Sequence, residues 1–169
     1  MTLAASLIQE LDMEAVATKR LLERIPEAQL GWKPAPTSRT LGELALHIAE
    51  TPGAVASLAV SNPAQAPSFD SLDRSPNTSA EIAAALERSL ANARATVGAW
   101  SDQALMETWH LKAGDRELMA VPRIAFLRSI MLNHWYHHRG QLSVYLRQLG
   151  VPLPSIYGPT ADENPFQRS

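Results

Sequence analysis

The chain has 169 residues, 46% of them hydrophobic, which is enough to bury one core and too few for two domains of ordinary size, so 1–169 reads as a single domain. Against 17 Asp+Glu stand 15 Lys+Arg, a formal net charge of -2 that lacks the basic excess needed to grip a phosphate backbone and argues against a nucleic-acid partner. Without cysteine the protein itself has no disulfides, Cys-ligated zinc, iron–sulfur cluster or thiol nucleophile, so any metal site must use His, Asp or Glu.

From Leu3 to Ile25 the residues Leu3, Leu7, Leu11, Leu21, Leu22 and Ile25 recur at helical intervals, with Ala15 and Ala17 between them. This predicts an amphipathic first helix stopped near Pro26. Glu10, Asp12 and Glu14 interrupt the place where a signal peptide would be uniformly apolar. No apolar run approaches the ~20 residues of a membrane span. A cytoplasmic protein of bacterial type is expected. The prolines of WKPAPTS end helix propagation. Thr40-Leu-Gly-Glu43 then has capping-box spacing, which predicts a second helix from Leu41 presenting Leu44, Ile48, Val55 and Leu58, kinked or interrupted at Pro52.

The stretch 61–77 is rich in Ser, Pro and Asp without a sustained period and reads as a long connection. Thr78-Ser-Ala-Glu81 repeats the capping-box spacing ahead of a third helix with Ile82, Leu86, Leu90, Ala93, Val97 and Trp100 on one face. Between Asp102 and Val121 a Gly-Asp turn with short mixed runs is compatible with a small hairpin or an irregular loop. Pro122 suits the first turn of a fourth helix, whose inward face reads Leu127, Ile130, Met131, His134, His138, Leu142, Tyr145 and Leu149 before Gly150 and Pro152 end it. Four long helical patterns without a convincing sheet predict an all-α antiparallel four-helix bundle with long connections.

The segment NHWYHHRGQ, from Asn133 to Gln141, carries three of the chain's five histidines. His134 and His138 lie about 40° apart on a helix, one turn removed, so both imidazoles reach the same side, while His137 points about 60° away from His134 in the other direction. His47, between Leu44 and Ile48, joins them if the second and fourth helices are neighbours. A three-histidine set with positions left to water is the arrangement of catalytic zinc, and imidazoles also suit nickel or iron. The alternative is a group of hydrogen-bonded core histidines, and spacing alone leaves both readings open. H-E-x-x-H is not met, because Trp135 stands where the general-base Glu belongs. Glu50, one turn beyond His47, is a candidate ligand or base, or else a solvated carboxylate. Gly140 suggests close helix packing beside the site. Arg139 reads as a surface charge or an interhelical hydrogen bond, and Gln141 as a residue that orients a ligand.

TLGELALHIAE and NHWYHHRGQLSVYLRQLGVPLP together resemble the second-helix and fourth-helix segments of the DinB-like superfamily of metal-binding four-helix bundles, which includes bacillithiol- and mycothiol-dependent transferases. The resemblance covers nearly the whole chain. It implies that His47, His134 and His138 bind a divalent metal; their places on the two helices make Glu50, His137 and Gln141 candidates around it. The implied activity is a metal-dependent thiol S-transfer from a small-molecule thiol to an electrophile. A metal-dependent hydrolase using Glu50 and a non-catalytic, stress-related metal-binding or dimerisation module are the alternatives. A homodimer is expected, since related bundles associate. Unperturbed imidazoles near ~6.5 predict that metal affinity falls below about pH 6.

Overall fold

The computed structural model describes residues 1–68 and 74–167. Helix α1 (Leu3–Leu22) opens on Thr2, whose Oγ1 accepts from the Ala5 amide, and buries Ala4, Leu7, Leu11, Ala15, Leu21 and Leu22 along one stripe. Thr18 joins this stripe because its hydroxyl donates to the Glu14 carbonyl at 2.9 Å, satisfying the polar group within the helix. Helix α2 (Leu41–Leu58) starts at the predicted capping box, with Thr40 Oγ1 accepting from the Glu43 amide at 3.1 Å and Glu43 Oε2 accepting from the Thr40 amide at 2.8 Å. In α3 (Ser79–Gly98), Thr78 Oγ1 accepts from the Glu81 amide, but Glu81 Oε2 turns to the Asn77 amide at 2.9 Å, so only half of the second predicted box forms.

Of the two expectations for Pro52, a kink or an interruption, the interruption does not occur: α2 runs through Pro52 as one helix. Proline cannot donate to the carbonyl four residues back, which here belongs to Ile48. That carbonyl instead accepts from the indole Nε1 of Trp135 at 2.8 Å, so a side chain from another helix supplies the missing bond. One residue further on, a Cβ at Gly53 would lie 2.8 Å from both Cα and O of Ser89. The bare glycine lets α2 and α3 touch backbone to backbone, and Ser89 Oγ accepts from the Gly53 amide at 2.8 Å. Gly53→Ala is therefore expected to destabilise the fold by about 1–3 kcal/mol through overpacking, read as a lower denaturant midpoint at unchanged m. A midpoint equal to the parent's would show that another contact sets this helix spacing.

The four main helices form a ring in which α1 packs on α3, α3 on α2, and α2 on the last helix. The pairs Lys19–Glu87 and Asp12–Arg94 show α1 and α3 antiparallel. Glu50–Ser89 and Ser57–Asn92 show α2 and α3 parallel, because the connection 59–78 returns the chain to the end where α2 began. The long connections thus refine the predicted antiparallel bundle into one with both parallel and antiparallel neighbours.

The predicted connection 61–77, whose residues 69–73 lie outside the described residues, contains a two-residue strand β1 (Ala64–Gln65). After a short helix α4 (Asp102–Met106) come β2 (Thr108–Ala113) and β3 (Arg116–Pro122), an antiparallel hairpin to which β1 adds in parallel. Gly114, with φ +58°, takes the left-handed conformation at the two-residue turn, so the hairpin alternative is the one adopted. The small sheet supplements the four main helices, and only its third strand, β1, had no counterpart in the expected hairpin. On β2, Trp109 is fully buried in stacked contact with Phe126, ring centroids 4.0 Å apart.

The predicted fourth helix is one helical run of three parts: α5 (Arg123–Phe126), a π-helical stretch (Leu127–Asn133), and α6 (His134–Gln148). The His134 amide donates to the Ser129 carbonyl, five residues back, closing the wide turn. A π turn holds an extra residue, so the buried stripe slides from Leu127 and Met131 to Trp135, Arg139, Leu142 and Leu146. His134 and His138 consequently sit on the flank of the helix rather than at its innermost line, which corrects the inward orientation inferred from an uninterrupted 3.6-residue period.

Candidate metal centre

Helices α2 and α6 run antiparallel, with Ile48 opposite Trp135 and the Arg39 carbonyl opposite Tyr145. This register places His47 across from His134 and His138. Their ligand nitrogens all lie within 4.8 Å of one another, and His47 Nε2 stands 3.1 Å from His134 Nε2. The ring centroids are 5.3, 4.5 and 4.4 Å apart for the pairs 47–134, 47–138 and 134–138. All three histidines are half-buried, so the cluster is held by the bundle yet open on one side.

The donor set fits a divalent ion. Two nitrogens bound about 2.0–2.1 Å from one zinc at a tetrahedral angle stand about 3.3 Å apart, close to the observed separation of His47 and His134. His138 Nδ1 is hydrogen-bonded to Gln141 Oε1 at 2.9 Å, which fixes the proton on Nδ1 and leaves Nε2 as the ligand nitrogen. Gln141 Nε2 in turn donates to the Tyr145 hydroxyl at 3.5 Å, and that hydroxyl donates to the Arg39 carbonyl at 3.4 Å. Trp32 meets Tyr145 edge-on with centroids 5.6 Å apart, bracing the end of this chain. Burial lowers the pKa of His138 from its ordinary value to about 4, against the raising effect of Gln141 and with further lowering by His134, His137 and Arg39. His134 is lowered too, first by burial and then by the charges of His137 and Arg39. Neutral imidazoles are the form a metal requires.

The other residues singled out in the sequence fall around this cluster in different ways. His137 is exposed at the rim, its ring 5.0 Å from that of His138. Glu50 accepts from Arg74 at 2.5 Å and lines the groove between α2 and α3 with Ser57, Ser89 and Asn92. Gly140 does not serve close packing in this chain, since a Cβ there would meet nothing within 4 Å. Arg139 is no surface charge: it is 2% exposed and donates to Glu14 Oε2 at 2.5 Å and to Thr18 Oγ1 at 3.2 Å, tying α6 to α1. Its guanidinium lies over the rings of Tyr136 and Tyr157, 5.2 and 5.0 Å from their centroids. His110 belongs to the hairpin, where Nδ1 meets Glu117 Oε2 at 2.7 Å. Arg39, whose charge lowers both His134 and His138, carries no periodic or motif signal in its Ser/Thr-rich loop.

The family model described as DinB family matches residues 1–166. The chain belongs to the DinB family. Among its relatives is the Bacillus subtilis (strain 168) protein called Uncharacterized protein YrdA, 30% identical over 157 residues that span 90% of this chain and 86% of that protein. Crystal structures of DinB-like proteins share the fold. One from Bacillus cereus ATCC 10987 has a TM-score of 0.73 at 24% identity, covering 92% of this chain and 98% of that one. Another, YjoA from Bacillus subtilis, has a TM-score of 0.68 at 23% identity, covering 89% and 97%. This DinB-family chain thus carries a mostly helical fold with four main helices, a small sheet and a histidine triad that could bind a metal. Among the described residues, no helix is long and apolar enough to cross a membrane.

Proposed function

We propose that this DinB-family protein is a divalent-metal-dependent thiol S-transferase that joins a small-molecule thiol to an electrophile. The observation that carries the reading is the convergence of three half-buried imidazoles from two helices, open on one side. His47, His134 and His138 would hold the ion, with zinc or nickel favoured by the all-nitrogen donor set and iron also accommodated. When bound, the ion supplies Lewis acidity that lowers the pKa of a coordinated thiol. Gln141 keeps the His138 ring in its ligand tautomer, and Trp135, anchored on the Ile48 carbonyl, holds α6 at a fixed distance from α2. In the transfer, a sulfur lone pair forms the new bond to the electrophilic carbon, the leaving group departs with its bonding pair, and the thiol proton passes to solvent. A cysteine-free protein suits this chemistry because the cosubstrate brings the nucleophile. The hydrolytic alternative would use Glu50 as a proton acceptor, and that carboxylate is engaged by Arg74.

The test is conjugation of a chromogenic aryl halide by tag-free, metal-loaded protein with a panel of low-molecular-weight thiols. The expected result is metal-dependent turnover with at least one thiol, lost on chelation and in His138→Ala. A rate equal to the solution background with every thiol, in protein shown to hold metal, would leave a binding module rather than a transferase.

A further inference from the structure

His134 and His138 converge with His47 only while α6 keeps one particular rotation about its own axis. At a side-chain tip about 6 Å from that axis, a turn of about 10° moves an atom by roughly 1 Å. Metal–ligand distances tolerate only about ±0.2 Å. The helix upstream does not supply this accuracy. The wide turn that ends at His134 interrupts the α-helical ladder from α5, so the phase of α6 has to be set by contacts with its neighbours.

One such contact, Trp135 on the Ile48 carbonyl, ties α6 to α2 at a single point. Arg139 supplies the second, on the opposite side. Successive helical residues lie 100° apart, so His138 is aimed toward His47 on α2 while Arg139 is aimed toward α1. Its guanidinium donates to three oxygens of α1: Glu14 Oε2 at 2.5 Å, the Glu14 carbonyl at 3.1 Å and Thr18 Oγ1 at 3.2 Å. The Tyr136 hydroxyl adds a further tie to α1, donating to Glu10 Oε1 at 2.9 Å, and its ring lies under the guanidinium. Tyr157 brings in the segment that follows α6. Its hydroxyl donates to Glu14 Oε2 at 2.8 Å and accepts from Arg139, and the same segment is held on α1 by Arg20, which donates to both Glu163 oxygens and to the Ser155 carbonyl. A buried ion pair is a poor way to gain stability, since an apolar pair of the same size often does as well. A planar, forked donor adds direction instead.

We propose that Arg139, clamped by Glu14 and Tyr157, is a positioning residue that sets the rotation of α6 and thereby aims His134 and His138 at the ion. This rests on the metal-centre reading above, and it makes the geometry of that centre depend on α1 and on the segment that follows α6.

The test is cobalt binding by tag-free full-length protein, read as affinity against a competing chelator and as the intensity of the d–d bands, which falls when coordination departs from tetrahedral. Arg139→Met, which keeps most of the length and removes every donor, is expected to weaken cobalt binding by about 10–100-fold and to dim those bands. Arg139→Lys should recover part of the affinity through one charged contact. Tyr157→Phe should fall between the parent and Arg139→Met, although that tyrosine is 71% exposed. Val97→Ala, a truncation at a fully buried position of α3, which carries no histidine, is the control: it should lower Tm and leave affinity and bands at parental values. If Arg139→Met does not fold, Glu14→Gln, which removes the partner's charge, carries the test together with Tyr157→Phe. Parental affinity and bands in every clamp variant, or a loss in Val97→Ala equal to theirs, overturns the positioning role while leaving the metal centre intact. Absence of cobalt uptake by the parent overturns the metal centre and this inference together.

Discussion

Replacing His47, His134 or His138 by Ala is expected to strip most of the bound divalent metal, whereas His137→Ala should leave it largely in place. Losing one of three imidazoles removes a direct ligand, and even changes in residues that only orient a ligand typically cost 10–100-fold in affinity, so a ligand deletion should cost on the order of 10²-fold or more. His137 differs because it points outward, exposed, with its ring beside His138 rather than among the converging nitrogens. The four variants should be compared by metal content after dialysis at a fixed free-metal concentration, with folding checked by circular dichroism. Equal loss from all four would remove the distinction between rim and centre. Gln141→Ala provides an internal scale: it frees the His138 ring without deleting it and should fall between His137→Ala and His138→Ala.

The pH at which metal is released should lie lower than ordinary imidazoles would dictate. Burial holds His138 neutral down to about 4 and shifts His134 in the same direction. Because the folded value lies below the unfolded one, the unfolded chain takes up protons first on acidification. The stability contributed by neutral His138 is complete above about pH 6.5 and is lost as the pH falls through about 4. Its half-buried position reduces the full linkage figure to on the order of 1–2 kcal/mol. For the metal-loaded protein, the lowered values delay proton competition at two of the three ligands. Retention should therefore extend below the pH 6 limit set by unperturbed imidazoles, toward about pH 5. Chelation at neutral pH should remove about 2.7 kcal/mol when free metal had been held 100-fold above Kd, and should still lower Tm at about pH 5. Thermal melts of loaded and stripped protein at both pH values, with metal measured alongside, decide the matter. Superimposable melts at neutral pH would count against metal-supported folding, and release centred near pH 6.5 would show that burial does not protect the ligands.

The parts of this molecule legible in its sequence are those written locally. The stripes of α1 and α3, the cap at Thr40 and the four-residue spacing of His134 and His138 depend on neighbours within a turn or two, and helical periodicity exposes them. What stayed hidden depends on partners far along the chain. Ala64 and Gln65 become a strand only because Leu111 and Lys112 lie beside them, and nothing in a Ser/Pro-rich connection announces that pairing. Arg139 is buried because Glu14 and Thr18 wait on α1, a pairing across more than a hundred residues that no local pattern encodes. The π turn before His134 is a third kind of concealment. One extra residue per turn shifts the phase of everything after it, so an uninterrupted period predicts the correct residues on a wrongly aimed helix.

The bond from Trp135 to the Ile48 carbonyl also bears on how the protein breathes. In most helices each rung of the ladder is closed by the helix itself, so one helix can fray while its neighbour stays folded. Here the rung at Pro52 is closed from outside, at the residue next to His47 on α2 and next to His134 on α6. Opening α2 at that level exposes a carbonyl that α6 was satisfying, and withdrawing α6 does the same. The two segments that carry the histidine cluster are thereby joined into one cooperative opening unit, and the cluster is assembled or dispersed as a whole rather than lost one histidine at a time.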